Sequence, residues 1–192
     1  MKAEPVNTST QAEPEYHAAS QTRRFAGYGV SRNGPNATLQ GSLNTLISRS
    51  RHAFRNSPMV KKAIRSNVTN TVGTGIIPRF RSDDQDFNEA MRIAFEIFST
   101  QCDPEGVLSL YGMQALWNQS QRLSGEVFVR RRRRSLSAGL LIPLQIQTLE
   151  SDFVPTTLND TRKNGNKIKS GIEFNKLGQR VAYWMYKSHP GE

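Results

Sequence analysis

A single cysteine, Cys102, stands in 192 residues. One thiol excludes an internal disulfide and any cysteine-based zinc site, and it fits a reducing compartment. No run approaches the roughly 18–20 apolar residues that cross a bilayer as a helix. Residues 1–16 hold no apolar stretch of the signal-peptide kind, so a soluble protein made in the cytoplasm is expected. Only three histidines occur, His17, His52 and His189, and none stands in HxxxH or HExxH spacing, so no metal site is expected. Phosphate-cradling loops are missing too. Gly73-Thr74-Gly75 follows a helical pattern and precedes Ile76-Ile77-Pro78, which reads as a helix stop leading into a strand and not as GxxxxGK[ST] or GxGxxG. No cofactor and no small-molecule substrate are expected. Apolar residues make up 36%, a low share, so part of the chain is expected to be unfolded or to depend on partners.

Acid is the next absence, and it is local. Residues 41–82 carry 8 basic and no acidic groups, while 83–110 carry 1 basic and 7 acidic, net −6. Residues 111–134 return to 6 basic against 1 acidic, net +5. The flanks are nearly balanced, net +1 over 1–40 and +2 over 135–192, and the whole chain is +10. A positive sum suggests a polyanion as partner, because lysine and arginine displace counterions from phosphates. Alternating blocks equally suit a subunit whose basic faces meet acidic faces of its neighbours.

Residues 1–40 are rich in Ser, Thr, Asn, Gln, Pro and Gly and show no sustained period, so they read as a mobile arm. From Leu43 the period is helical. Leu43, Leu46, Ile47 and Phe54 share a stripe, with Ser42 as N-cap and Arg49, Arg51 and Arg55 on the opposite face. Asn56-Ser57-Pro58 ends that helix and opens a second, which carries Val60, Ala63, Ile64 and Val68. Asp83 or Asp84 can cap a third, through Phe87, Ala90, Met91, Ala94, Phe95 and Phe98. Ser109 can cap a fourth, through Leu110, Met113, Leu116, Trp117 and Leu123.

After Ser124-Gly125 the period falls to two. Strands are expected over Glu126 to Arg134, Leu140 to Leu149, Ile168 to Phe174 and Arg180 to Tyr186, the last two as a hairpin. The final strand is apolar on both faces and therefore needs cover on both. The fold class expected is α+β, a helical N-terminal half followed by antiparallel strands.

Two basic sets are candidate contacts. Arg49, Arg51, Arg55, Lys61, Lys62 and Arg65 lie on the first two helices, without aromatics for stacking on single strands and without a base-reading helix motif. Arg130, Arg131, Arg132, Arg133 and Arg134 form an uninterrupted run, but in a strand alternate members face opposite sides. Three readings stand for the run: DNA phosphates, an acidic neighbouring subunit, or a solvated edge strand whose charges discourage pairing. Asp103, Glu126, Glu150 and Asp152 could supply paired carboxylates, but no spacing brings two together, and no acid–base site is expected. Cys102 beside Asp103 reads as a small buried side chain.

The order of these segments carries a resemblance. Leu46-Ile47-Ser48-Arg49-Ser50-Arg51-His52-Ala53-Phe54-Arg55-Asn56-Ser57-Pro58 resembles a signature near the start of lambda-type tailed-phage portal proteins. Asn67-Val68 with Val72-Gly73-Thr74-Gly75-Ile76-Ile77-Pro78, and Cys102-Asp103 with Gly106, are similar to two further segments of that family. So are Ser124-Gly125-Glu126-Val127-Phe128, with Ser124 where Asp is commoner, and Leu144 to Asp152. Gly171-Ile172-Glu173-Phe174, Gly178, Ala182-Tyr183 and His189-Pro190 complete the series. Taken singly these matches are weak; in order over residues 46–190 they are specific.

The resemblance implies a dodecameric ring at the capsid portal vertex of a virion, assembled from protein made in the bacterial host cytoplasm. It implies packaging and ejection of double-stranded DNA, and partners among terminase, capsid and head-completion proteins. It implies no catalytic residue and no membrane. Portal chains run to several hundred residues, so 41–192 is expected to be the outer, wing-like part of a portal domain, from a shortened gene, a split gene or an incomplete chain. The alternative to a portal subunit is a small basic protein that binds DNA without sequence preference.

Overall fold

A computed structural model describes residues 23–25, 27 and 32–191. The chain divides into two units, Met1–Thr38 and Leu39–Glu192. In the first, the described residues form a 3-10 turn, Arg23–Phe25, and begin a short helix, α1, Pro35–Gln40. Most of the arm expected over 1–40 lies outside the described residues.

The second unit opens with four helices: α2 (Leu43–Asn56), α3 (Pro58–Val72), α4 (Gln85–Gln101) and α5 (Leu110–Ser124). Three start as the cap rule requires. The Ser57 hydroxyl accepts the Val60 N–H, an Asp84 carboxylate oxygen accepts the Phe87 N–H at 3.0 Å, and the Ser109 hydroxyl accepts the Gly112 N–H at 3.3 Å. Ser42 departs from expectation. Its side chain makes no cap bond, because its own backbone is already helical in the turn that carries α1 into α2. Helix α3 stops at Gly73, whose φ of +57° suits glycine, and α5 stops at the left-handed Gly125.

The strand expected after Gly73 does not form. Residues 73 and 74 form a turn and 75–82 have no regular structure, held at one point by a side chain acting as a strand neighbour. The Gln114 amide accepts the Ile76 N–H at 2.7 Å and donates to the Ile76 carbonyl at 3.2 Å. Gly75, at φ +121°, lies so close to the Tyr111 ring that a β-carbon there would overlap it.

Six antiparallel strands in two sheets follow, which establishes the α+β class among the described residues. In the first sheet, β1 (Phe128–Arg133) pairs with β2 (Leu144–Leu149) in a register that sets Phe128 opposite Leu149 and Arg133 opposite Leu144. Strand β2 starts four residues later than expected, because Pro143 has no N–H to donate; its carbonyl instead receives the Arg134 N–H at 2.9 Å. The second sheet has the order β3 (Asp160–Thr161), β4 (Lys167–Lys169), β5 (Ile172–Phe174), β6 (Arg180–Tyr183).

The single strand expected over Ile168 to Phe174 is two strands. Ser170 and Gly171 both take positive φ, +49° and +77°, the pattern of a tight hairpin turn between β4 and β5. Strand β6 lies at the sheet edge and is exposed along its length, so the two-sided cover its composition calls for is only half present. On one side Tyr183 meets the Phe128 ring at 5.4 Å. Beyond β6, Trp184 donates to Glu173 at 3.1 Å and lies under the Arg162 guanidinium at 4.6 Å.

The core is small. Cys102, Leu110 and Met113 are buried, with Phe95, Phe98, Leu108, Trp117 and Ile146 packed around them, so it sits where α4 and α5 meet β2. Each fully buried side chain of this size contributes roughly 1.5–3 kcal/mol. Polar bonds align the layers. Trp117 donates to Thr148 at 2.7 Å, and the buried Gln145 amide donates to the Gln101 and Asp103 carbonyls. Helix α4 is the loosest member. Only its C-terminal half reaches the core, and Phe87 and Ile93 are 53% and 46% exposed.

Candidate DNA and intersubunit surfaces

On α2 and α3 the helical period places Arg49, Arg55, Lys62 and Arg65 in solvent, and none of them is ion-paired within the described residues. Lys61 is half-buried, its ammonium 5.9 Å from the centre of the Phe54 ring. These side chains offer exposed cations over a helical surface, mostly planar guanidinium groups, suited to phosphates or to carboxylates of another chain.

Arg51 turns inward instead. Its guanidinium binds Asp152 through two parallel bonds, at 3.1 and 2.5 Å, and donates to the Ser124 hydroxyl at 3.0 Å. Glu150 lies 3.2 Å from the same nitrogen. Three segments distant in sequence therefore meet on one side chain: α2, the end of α5, and the stretch after β2 that carries both carboxylates. Burial opposes ionisation of Asp152, but the Arg51 hydrogen bonds and charge outweigh it and hold that carboxyl below the usual range. With these donors engaged inside the chain, Arg51 is a clamp between helices and sheet, unlike its exposed neighbours.

Glu150 and Asp152, which no spacing linked, thus stand together, and His189 joins them with ligand atoms all within 4.8 Å. His189 also packs edge-on against Phe153 at 5.6 Å. The guanidinium already supplies the positive charge this carboxylate pair requires. Beside it, α2 and α5 border a groove of about 300 Å³ whose lining includes Glu126 and Glu150. Partial burial raises the Glu126 carboxyl, with Arg180 opposing. Arg51 and Arg55 line the same groove, so its wall carries charge of both signs.

The arginine run lies on β1 and just after it. Register places Arg130 opposite Gln147 and Arg132 opposite Gln145, while Arg131 and Arg133 share the other face with Val129, opposite Ile146 and Leu144. The glutamines order part of the run: Arg130 donates to Gln147, and Arg134 donates to Gln145 at 2.6 Å. Arg131 and Arg133 are exposed and their side chains make no hydrogen bond among the described residues, where none of the five is ion-paired either. The Arg–Gln pairing follows from strand register, which residue spacing alone does not reveal.

The other carboxylates are local. Asp103 accepts the Glu105, Val107 and Leu108 N–H groups; burial raises its pKa, but these three bonds more than compensate and leave it lowered. Cys102 is fully buried, and that burial, with Asp103 adding to it, pushes its thiol up.

An α+β unit with a small core and unpaired arginines, and with its converging carboxylates neutralised by an arginine, has the features of a structural subunit. Its family is definite: the chain belongs to the lambda family of phage portal proteins, whose sequence model matches residues 21–192. Among individual proteins it is similar to the "Probable portal protein" of Halomonas phage phiHAP-1, at 28% identity over 201 aligned positions. That alignment takes in 99% of this chain and 38% of the phage protein, so the chain spans well under half the length of that relative.

Proposed function

We propose that this chain serves as a structural subunit, or part of one, of a portal ring at the capsid vertex. In this reading 41–192 is the outer, wing-like portion. Copies form a dodecameric ring through which double-stranded DNA is packaged and ejected, and the ring joins the head to terminase, head-completion proteins and tail. The chain contributes shape and charge and no catalytic step, and it is made in the host cytoplasm before entering the virion. The family match over 21–192 carries this reading. The test is labelling of particles from cells that carry the gene. Antibodies against the 41–192 region should mark one vertex per particle, the one bearing the tail. Labelling over the whole shell, or of no particle at all, refutes the proposal.

A second reading, a basic protein that binds DNA without sequence preference, is favoured by the exposed, unpaired cations of α2, α3 and β1. Any such contact from α2 and α3 would go to phosphates, since neither helix carries a base-reading motif.

A further inference from the structure

Helix α4 is apolar along more of its length than this chain covers. Phe95 and Phe98 face the core, while Phe87 and Met91, on the same stripe nearer the N-terminus, and Ala90 and Ile93 beside it stay in solvent. Its rim is acidic. Asp83 and Asp86 stand at its N-terminal end, exposed, with no hydrogen bond or ion pair among the described residues. Asp84 is engaged as the cap, and Glu89 and Glu96 are tied to Arg92 at 2.8 and 3.1 Å. On β1 the complementary set recurs: Arg131 and Arg133 free of partners, beside an exposed Val129. Within one copy no ion pair joins the two sets.

We infer that the acidic, apolar face of α4 docks on the Val129–Arg131–Arg133 face of β1 in a second copy of this chain. Both faces combine exposed apolar surface with unpaired charge, and the charges are opposite, net −6 over 83–110 against +5 over 111–134. The two patches differ, so the contact is head-to-tail, and repeated contacts of this kind close a ring where the rotation allows. Coulomb attraction selects the partner and the apolar stripe supplies the burial. Arginines committed to this contact are not the ones that meet DNA. The inference rests on the portal reading only in expecting copies to meet in a ring; vertex labelling tests that reading separately.

Charge reversal provides the test, because Asp83, Asp86, Arg131 and Arg133 make no bond whose loss should unfold the chain. Self-association of the purified protein is measured by sedimentation over a concentration series, with circular dichroism confirming the fold of each variant. The pair Asp83→Lys and Asp86→Lys should weaken association at least tenfold, as should the pair Arg131→Glu and Arg133→Glu. Mixing the two variants, or combining all four changes, should restore it. As a second readout, Asp86→Cys mixed with Arg131→Cys and treated with oxidised glutathione should form a disulfide-linked heterodimer, since the native Cys102 is buried. Association indifferent to either reversal, a loss that the swap does not restore, or a monomer at every concentration overturns the inference. Weaker DNA binding by the arginine reversal, with association unchanged, assigns that face to DNA.

Discussion

Replacing Arg51 by alanine should destabilise the unit by about 2 kcal/mol. The wild-type side chain makes a bidentate pair with Asp152 and a bond to Ser124, and both partners of the ion pair are largely enclosed, with side chains 24% and 28% exposed. A fully exposed pair is worth about 0–1 kcal/mol, and breaking a fully buried one costs about 3–5. The intermediate exposure places this clamp between them. For a chain of this size, about 2 kcal/mol lowers the midpoint of thermal unfolding by roughly 4–8 °C.

A cycle of Arg51→Ala, Asp152→Asn and the double variant, followed by urea unfolding, should give a coupling of about 1–2 kcal/mol. The pH dependence has a definite sign. Asp152 has a lower pKa folded than unfolded, so its contribution is complete above the unfolded value and is lost as pH falls toward the folded one. The stability gap between wild type and Arg51→Ala should stay level from neutrality to about pH 5 and narrow below it. A gap under about 0.5 kcal/mol at neutral pH, or strict additivity in the cycle, would refute the clamp.

Gly75→Ala should cost about 2 kcal/mol or more, read by the same unfolding assay, because its φ of +121° and the Tyr111 ring both exclude a β-carbon; a neutral substitution would mean the segment readily repacks. Cys102 should resist thiol reagents in the native state and react fully in denaturant, since burial both hides it and raises its pKa; rapid native labelling contradicts the packing. Binding to duplex DNA should weaken steeply with salt. Each of Arg49→Gln, Arg55→Gln, Lys62→Gln and Arg65→Gln should reduce the log–log slope by about 1 if these helices supply the contact, whereas an unchanged slope moves the contact elsewhere.

Local rules were enough to place helices α2 to α5, but not α1. The stripes of α2 to α5, the caps Ser57 and Ser109 and the stops at Gly73 and Gly125 follow from period and backbone preference, which act over a few residues. The order of short motifs was also enough for the family. Ser42 and the 73–82 segment departed from those rules, because a preceding helical turn and the Gln114 side chain compete for the same backbone groups. Ser170 hid a hairpin, since a serine at positive φ is rare enough that the run read as one strand.

Nothing local could show that Arg51 leaves its basic neighbours. Its partner is 101 residues away, and the choice between solvent and clamp depends on whether α2 lands beside the end of β2. The same holds for the arginine run. Alternation along β1 follows from the sequence, but pairing with β2 decided which arginines a glutamine holds and which three, Arg131, Arg132 and Arg133, have no side-chain partner among the described residues. A strand's hydrogen-bond register is set by the chain it pairs with, and only the folded chain specifies it.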